Sequence, residues 1–206
     1  ELRRRGPNQE ARLLLTRVDP TGAALVAVVR RKQGEEWVLP GGFLPSTPSD
    51  ATPPLKTYEQ IFRLQLASNP TTAEKEIIER LFATDEAATV QQAAAPEPTA
   101  ELTAAVDSAT ALSPSAAMPS WLVYLGVCDT SANTDHAWVE TAVAHLSLGS
   151  DADAFDFSPG STMRDARWVK VPPMGLAPEN RVAGFWDDCK PLHRQWVRAA
   201  LIHRVA

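Results

Sequence analysis

Cysteine is scarce: the 206 residues hold only Cys128 and Cys189. They lie too far apart for the usual zinc-ligand spacings and are too few for a disulfide framework. Reduced thiols and a cytoplasmic location are therefore expected. A basic surplus is also missing, since 20 Lys and Arg stand against 25 Asp and Glu for a formal charge of −5. General nucleic-acid binding needs an excess of phosphate-neutralising groups, so no nucleic-acid partner is expected. The one dense basic run, Arg3-Arg4-Arg5, reads either as a solvated tail or as a local phosphate-facing patch. No apolar stretch approaches the roughly 18 residues of a membrane span, and no signal-peptide pattern opens the sequence. The chain itself is thus expected to make no membrane contact. It starts at Glu1 rather than Met, which suggests a piece of a longer protein.

What is present is ordinary for a globular chain, with 44% hydrophobic and 22% charged residues. Gly6-Pro7-Asn8 is a turn signal, Leu13-Leu14-Leu15-Thr16 an apolar run, and Asp19-Pro20-Thr21-Gly22 a second turn. Ala24–Arg31 is short, apolar and β-branched, the pattern of a buried strand. Trp37-Val38-Leu39 predicts a brief strand that runs into Pro40-Gly41-Gly42, and the composition of 43–54 predicts a loop. Pro53-Pro54 opens a helix with Leu55, Tyr58, Ile61 or Phe62, and Leu66 as its apolar stripe, ended by Asn69-Pro70. Thr71 and Glu74 have capping-box spacing for a second helix reaching about Phe82, with Ile77, Ile78 and Leu81 inward. Residues 85–119 are rich in Ala, Pro, Thr, Ser and Glu, which predicts a flexible low-complexity insertion with one weak helix around 100–109. Strands resume at 121–125, 138–145 and 167–171. A closing amphipathic helix at 191–205 carries Leu192, Trp196, Ala199, Ala200 and Ile202. Strands and helices mixed without a strict βαβ rhythm predict an α+β fold, an α/β/α sandwich with a mixed central sheet flanked by helices.

Three separated segments carry a resemblance, in matching order. Gly6-Pro7-Asn8 with Thr16-Arg17 is similar to the opening segment of the mitochondrial-type ADP-ribose pyrophosphatases of the Nudix superfamily. Glu36-Trp37-Val38-Leu39-Pro40-Gly41-Gly42 resembles the strand and double glycine that lead into their Nudix box. The nine residues Asn133-Thr134-Asp135-His136-Ala137-Trp138-Val139-Glu140-Thr141 match the family's Asn-Thr-Asp-x-Ala-Trp-x-Glu-Thr. Arg167-Trp168-Val169 and Leu192-His193-Arg194-Gln195-Trp196 add weaker support. The same segments occur in the C-terminal ADP-ribose-sensing domain of melastatin-type transient receptor potential channels. The resemblance implies an opening segment with the first strands at 1–35 and a Nudix-type core at 36–206, interrupted at 85–119.

The family's box reads Gly, five residues, Glu, seven residues, then Arg-Glu-apolar-x-Glu-Glu. Glutamates at i, i+3 and i+4 share a helical face and can hold Mg²⁺ beside a diphosphate. Laid ungapped from Gly42, this sequence puts Pro48 at the first glutamate, Lys56 at the arginine and Tyr58 at the apolar position. Thr57, Gln60 and Ile61 then fall at the three helical glutamates, and Glu59 is the only carboxylate of that helix. No catalytic residues and no resident metal or cofactor are therefore expected, with Mg²⁺ implied only if hydrolysis survives on relocated ligands such as Glu35, Glu36, Asp50 or Glu140.

By resemblance, Asp135 and Glu140 would meet ribose hydroxyls, or else cap a turn and pair with a neighbouring strand. Trp37 and Trp138 offer rings to adenine or to the core. His193 and Gln195 would reach the ligand from the last helix, or lie on its surface. Arg30 and Arg31, with Lys32, stand at a strand end beside Gly41 and Gly42 as diphosphate partners or solvated residues. Where the relatives carry Asp-Asp-Pro-Arg, this chain has Asp129-Thr130-Ser131-Ala132. The missing arginine removes a charge-assisted contact of about 1.5–3 kcal/mol. The implied function is a catalytically degenerate domain that senses ADP-ribose or a related nucleotide within a homotetrameric cation channel. An active ADP-ribose diphosphatase releasing AMP and ribose 5-phosphate, and a ligand-free assembly module, are the alternatives.

Overall fold

The computed structural model describes residues 6–45, 53–83, 120–128, 130, 133–149, 155–172 and 189–202. The predicted insertion at 85–119 with its weak helix, the Arg3-Arg4-Arg5 run, Pro48, Asp50 and the end of the closing helix past 202 lie outside the described residues. So do Asp129, Ser131 and Ala132.

In chain order the elements are β1 (Gly6–Val18), β2 (Ala24–Arg31), β3 (Trp37–Val38), β4 (Gly41–Phe43), α1 (Leu55–Gln65), α2 (Thr72–Phe82), β5 (Leu122–Cys128), β6 (Ala137–Ser147), β7 (Met163–Lys170) and α3 (Pro191–Ile202). The strands form one sheet of order β3-β2-β1-β6-β5, with β4 paired to β1 and β7 to β2. β1 and β6 run parallel from Gly6↔Ala137 to Thr16↔Ser147, whereas β1 pairs antiparallel with β2 and β4. The sheet is therefore mixed, as expected. Because β1 and β2 are woven into it, residues 6–35 share one sheet with the strands of the later segments.

Period-two alternation along β1 sorts its residues between two layers. Ala11, Leu13 and Leu15 join the core under α1 and α2, while Leu14 joins the core under α3. β2 does the same, with Ala27 and Val29 on the first side and Val26 and Val28 on the second. Leu55, Tyr58, Ile61 and Phe62 of α1 and Leu66 at its C-cap are all buried, so both candidates for the third stripe position face inward. Phe62 is fully buried between Phe82 and Phe155, at centroid distances of 5.8 and 5.1 Å. On the other side Trp196, Val197 and Ala200 of α3 pack against Leu14, Val26, Val28 and Val143.

Three expectations need correction. Gly6-Pro7-Asn8 is no turn but the start of β1: pairing with β6 begins at Gly6, and Pro7 precedes the stretch bordered by β4. Phe43, the first residue of the predicted loop, instead ends β4, recruited by the Glu10↔Phe43 and Ala11↔Gly42 register, and 46–52 of that loop lie outside the described residues. Ala199 is exposed rather than inward, since Trp196 and Ala200 take the buried face of α3.

The predicted capping box is present: Thr71 Oγ1 accepts from the Glu74 amide at 3.3 Å, and Glu74 Oε2 accepts from the Thr71 amide at 2.7 Å. These bonds hold the Glu74 carboxyl below its ordinary pKa, with the Thr71 amide the largest cause. Thr71→Ala is expected to cost about 1 kcal/mol and lower Tm by about 2–4 °C, read by thermal melting in circular dichroism. No helix among the described residues is long and apolar enough to cross a membrane.

Candidate functional site

Position 12 carries an arginine inside an apolar run, and the fold explains what it does. Arg12 and Glu10 share the α3 face of β1, where their side chains form an ion pair only 8% and 12% exposed. Arg12 Nη1 also donates to the Leu39 carbonyl at 2.9 Å, and Glu10 Oε2 accepts from Thr141 Oγ1 at 3.3 Å. This network fastens β1 to the β3–β4 turn on one side and to β6 on the other.

Gly41, paired with Arg12, has φ +146°, and a Cβ there would stand 2.1 Å from the Ala11 carbonyl oxygen. Only glycine lets β4 come this close. Its peptide is held from both ends by Gln65 of α1: the Gly41 amide donates to Oε1 at 2.8 Å, and Nε2 donates to the Gly41 carbonyl at 3.1 Å. The same carbonyl accepts from Arg31 Nη2 at 2.7 Å. Gly42 leaves room for that guanidinium, with a Cβ position 3.4 Å from Nη2.

The third wall is the start of α3. The Lys190 amide donates to the Trp37 carbonyl at 3.3 Å, and the Leu39 amide donates to His193 Nδ1 at 3.1 Å. His193 is 5% exposed and stacks on Trp196 at 5.1 Å. Burial, then the charges of Arg12, Lys190 and Arg31, push its pKa down to about 2, so the ring is neutral and able to accept at Nδ1. Between these walls lies a cavity of about 280 Å³ lined by Arg12, Arg31 and Lys190, with Glu36 at its rim. Much of the Arg31 side chain is open, but burial of its charged end and then the Arg12 charge lower its pKa, against the pull of Glu10.

Of the sequence-predicted site residues, the structure brings together Arg31, Gly41, Gly42 and, through Leu39, His193. Trp37 is 3% exposed and belongs to the core, its ring covered by the Arg167 guanidinium at 4.3 Å and approached by Arg30 at 5.9 Å. Arg30 pairs with Glu35. Trp138 and Glu140 lie on the opposite face of the sheet, where the indole Nε1 donates to Glu140 Oε1 at 3.0 Å. Asp135 sits exposed in the β5–β6 turn and Gln195 exposed on α3. Thus one predicted cleft resolves into two regions, separated by the sheet.

The box residues do not converge either. Ile61 is buried in the core, Thr57 is half-buried, and Lys56 and Gln60 are exposed. The α1 side chain that meets the double glycine is Gln65, one helical turn beyond Ile61. Besides Gln65, sequence reasoning missed Glu10, Arg12 and Lys190. A charged residue framed by Ala11 and Leu13-Leu14-Leu15 was the available signal for Arg12.

Among the described residues the donor set does not fit a magnesium centre. The Gly41 carbonyl is engaged by Arg31 and Gln65, and Glu10 is tied to Arg12. Among the described residues no group of three or more His, Cys, Asp or Glu side chains is placed to hold a metal. A hard dication needs several oxygen ligands.

No family model matches the sequence, and no curated protein matches it. Solved structures do. The Nudix domain of Shewanella oneidensis NrtR, solved with ADP-ribose, aligns at TM-score 0.50 and 12% identity over 98% of this chain and 91% of its own. An Ap4A hydrolase from C. elegans gives TM-score 0.49 and 8% identity, covering 96% and 98%. A MutT/Nudix family protein from Enterococcus faecalis gives TM-score 0.44 and 11% identity over 85% of this chain, which spans 48% of its length. The mixed sheet flanked by helices is the Nudix fold.

Proposed function

We propose that the chain is a catalytically degenerate Nudix domain, similar to ADP-ribose pyrophosphatases, that binds ADP-ribose or a related nucleotide as the cytoplasmic sensing module of a homotetrameric cation channel. The observation that carries the loss of catalysis is the Gln65 clamp. Where a metal-holding carboxylate would face the double glycine, a neutral amide satisfies both polar groups of the Gly41 peptide. Gln65 neither supplies negative charge nor leaves the carbonyl free. The nucleotide reading draws on the Asn133 to Thr141 match and on the fold shared with a domain solved with ADP-ribose. The channel reading draws on the sequence resemblance alone.

Incubation of ADP-ribose with the protein and Mg²⁺ or Mn²⁺ is expected to release no AMP above a protein-free blank, by anion-exchange chromatography. Sustained release would restore the hydrolase alternative, whose relocated ligands among the described residues all have partners: Glu36 with Lys190, Glu35 with Arg30 and Arg164, and Glu140 with Trp138. ADP-ribose at a hundred times its Kd is expected to stabilise the fold by about 2.7 kcal/mol. An unmoved melting curve at millimolar ligand would leave only the assembly-module reading.

A further inference from the structure

We infer that the cavity between β1, β2 and the start of α3 is a metal-independent diphosphate site, in which Arg12, Arg31 and Lys190 take the place of a dication. The inference rests on the nucleotide reading above and names the part of the ligand that this face of the sheet holds.

Three cations, from β1, from β2 and from the residue just ahead of α3, line the cavity. Two are pre-positioned by backbone carbonyls, Arg12 on Leu39 and Arg31 on Gly41, so little ordering is left for a ligand to impose. Arg12 is 7% exposed, yet its side chain lines the cavity, so an anion seated there would meet a largely desolvated guanidinium, where a charge-assisted hydrogen bond is strong. The charges also do not balance. Against the three cations stand Glu10 and Glu36, leaving one positive charge in excess; burial first, and then the Arg12 charge, lower the Arg31 pKa. Guanidinium groups match phosphate oxygens in planar forks. At roughly 30 Å³ per water the cavity holds about nine water volumes, enough for a diphosphate.

Glu36 is the competitor. Its Oε2 stands 3.2 Å from Lys190 Nζ, but both side chains are about half exposed, so this pair opens at little cost. Removing the carboxylate should therefore help the anion, an effect that a purely structural role for these residues does not produce.

The test is calorimetric titration of the whole chain with inorganic diphosphate in EDTA, with ADP-ribose run in parallel. Binding is expected without metal. Arg31→Gln and Lys190→Gln, both at exposed positions, should each weaken it about ten- to hundredfold. Glu36→Gln should tighten it several-fold, and Arg80→Gln on the exposed side of α2 should leave it unchanged. Circular dichroism of each variant separates weakened binding from unfolding. Absence of diphosphate binding, a strict need for Mg²⁺, or unchanged affinity in both Arg31→Gln and Lys190→Gln overturns the site. If diphosphate binds as expected while ADP-ribose binds no tighter, the anion site stands and the nucleotide reading falls. If ADP-ribose binds undiminished in Arg31→Gln and Lys190→Gln, the nucleotide reading stands and the diphosphate site falls.

Discussion

Replacing Gly41 with alanine should destabilise the fold by more than about 3 kcal/mol, a large part of the 5–15 kcal/mol that ordinarily separates folded from unfolded chains. Two costs add. At φ +146° an L side chain is strained, which alone is worth about 1–3 kcal/mol. The new Cβ would also stand 2.1 Å from the Ala11 carbonyl oxygen and 2.9 Å from the Arg12 Cα, both backbone atoms that cannot swing aside. Relief requires β4 to leave β1, which breaks the Gln65 clamp and removes the carbonyl that positions Arg31. Urea unfolding of the variant is expected to give a much lower midpoint with little change in slope. A midpoint within experimental error of the parent would refute the close packing of β4 on β1.

Gly42→Ala is the matched control. Its Cβ would make ordinary contact, 3.4 Å, with the flexible end of Arg31, and glycine replacement restricts the unfolded chain by about 0.4–1 kcal/mol in favour of folding. Stability should stay within about 1 kcal/mol of the parent, and diphosphate affinity should change little. The two adjacent glycines would thus separate into one the fold requires and one it does not.

That separation shows what the sequence could and could not reveal. Strands and helices with a clean period were legible: the β1–β2 alternation, the α1 stripe and the Thr71–Glu74 box rest on local physics and stand at the expected positions. Gly6-Pro7-Asn8 misled because a turn-like composition was overridden by parallel pairing with a strand some 130 positions away. The double glycine was recognisable, but its neighbours were not. Gln65 meets Gly41 from 24 positions away, and no local signal reports which side chain of a helix will face a distant turn. Likewise His193, beside Arg194 on an amphipathic helix, reads as a surface residue until the β3–β4 turn is seen to cover it. Arg12 was the exception. A guanidinium within an apolar strand must find partners or stay costly, and that argument was available without coordinates.

The buried His193 ring should make the protein sensitive to mild acid. Its proton is bound near pH 2 in the folded state and near pH 6.5 in an unfolded chain. Between those values the unfolded state holds the extra proton, so stability falls as pH falls, at about 1.4 kcal/mol per pH unit. Protonation must abolish the bond in which Nδ1 accepts from the Leu39 amide, and it places a cation among Arg12 on β1, Arg31 on β2 and Lys190 ahead of α3, with Glu10 and Glu36 as the opposing charges. About 2 kcal/mol should be lost between pH 6.5 and 4.5. Glu74 and Asp19, both held below their ordinary values by hydrogen bonds, add to the loss only below about pH 4.5. His193→Gln can still accept from the Leu39 amide but cannot titrate, so its stability should be nearly level across that window, in urea unfolding at matched ionic strength. Parallel pH profiles for parent and variant would place the acid sensitivity elsewhere.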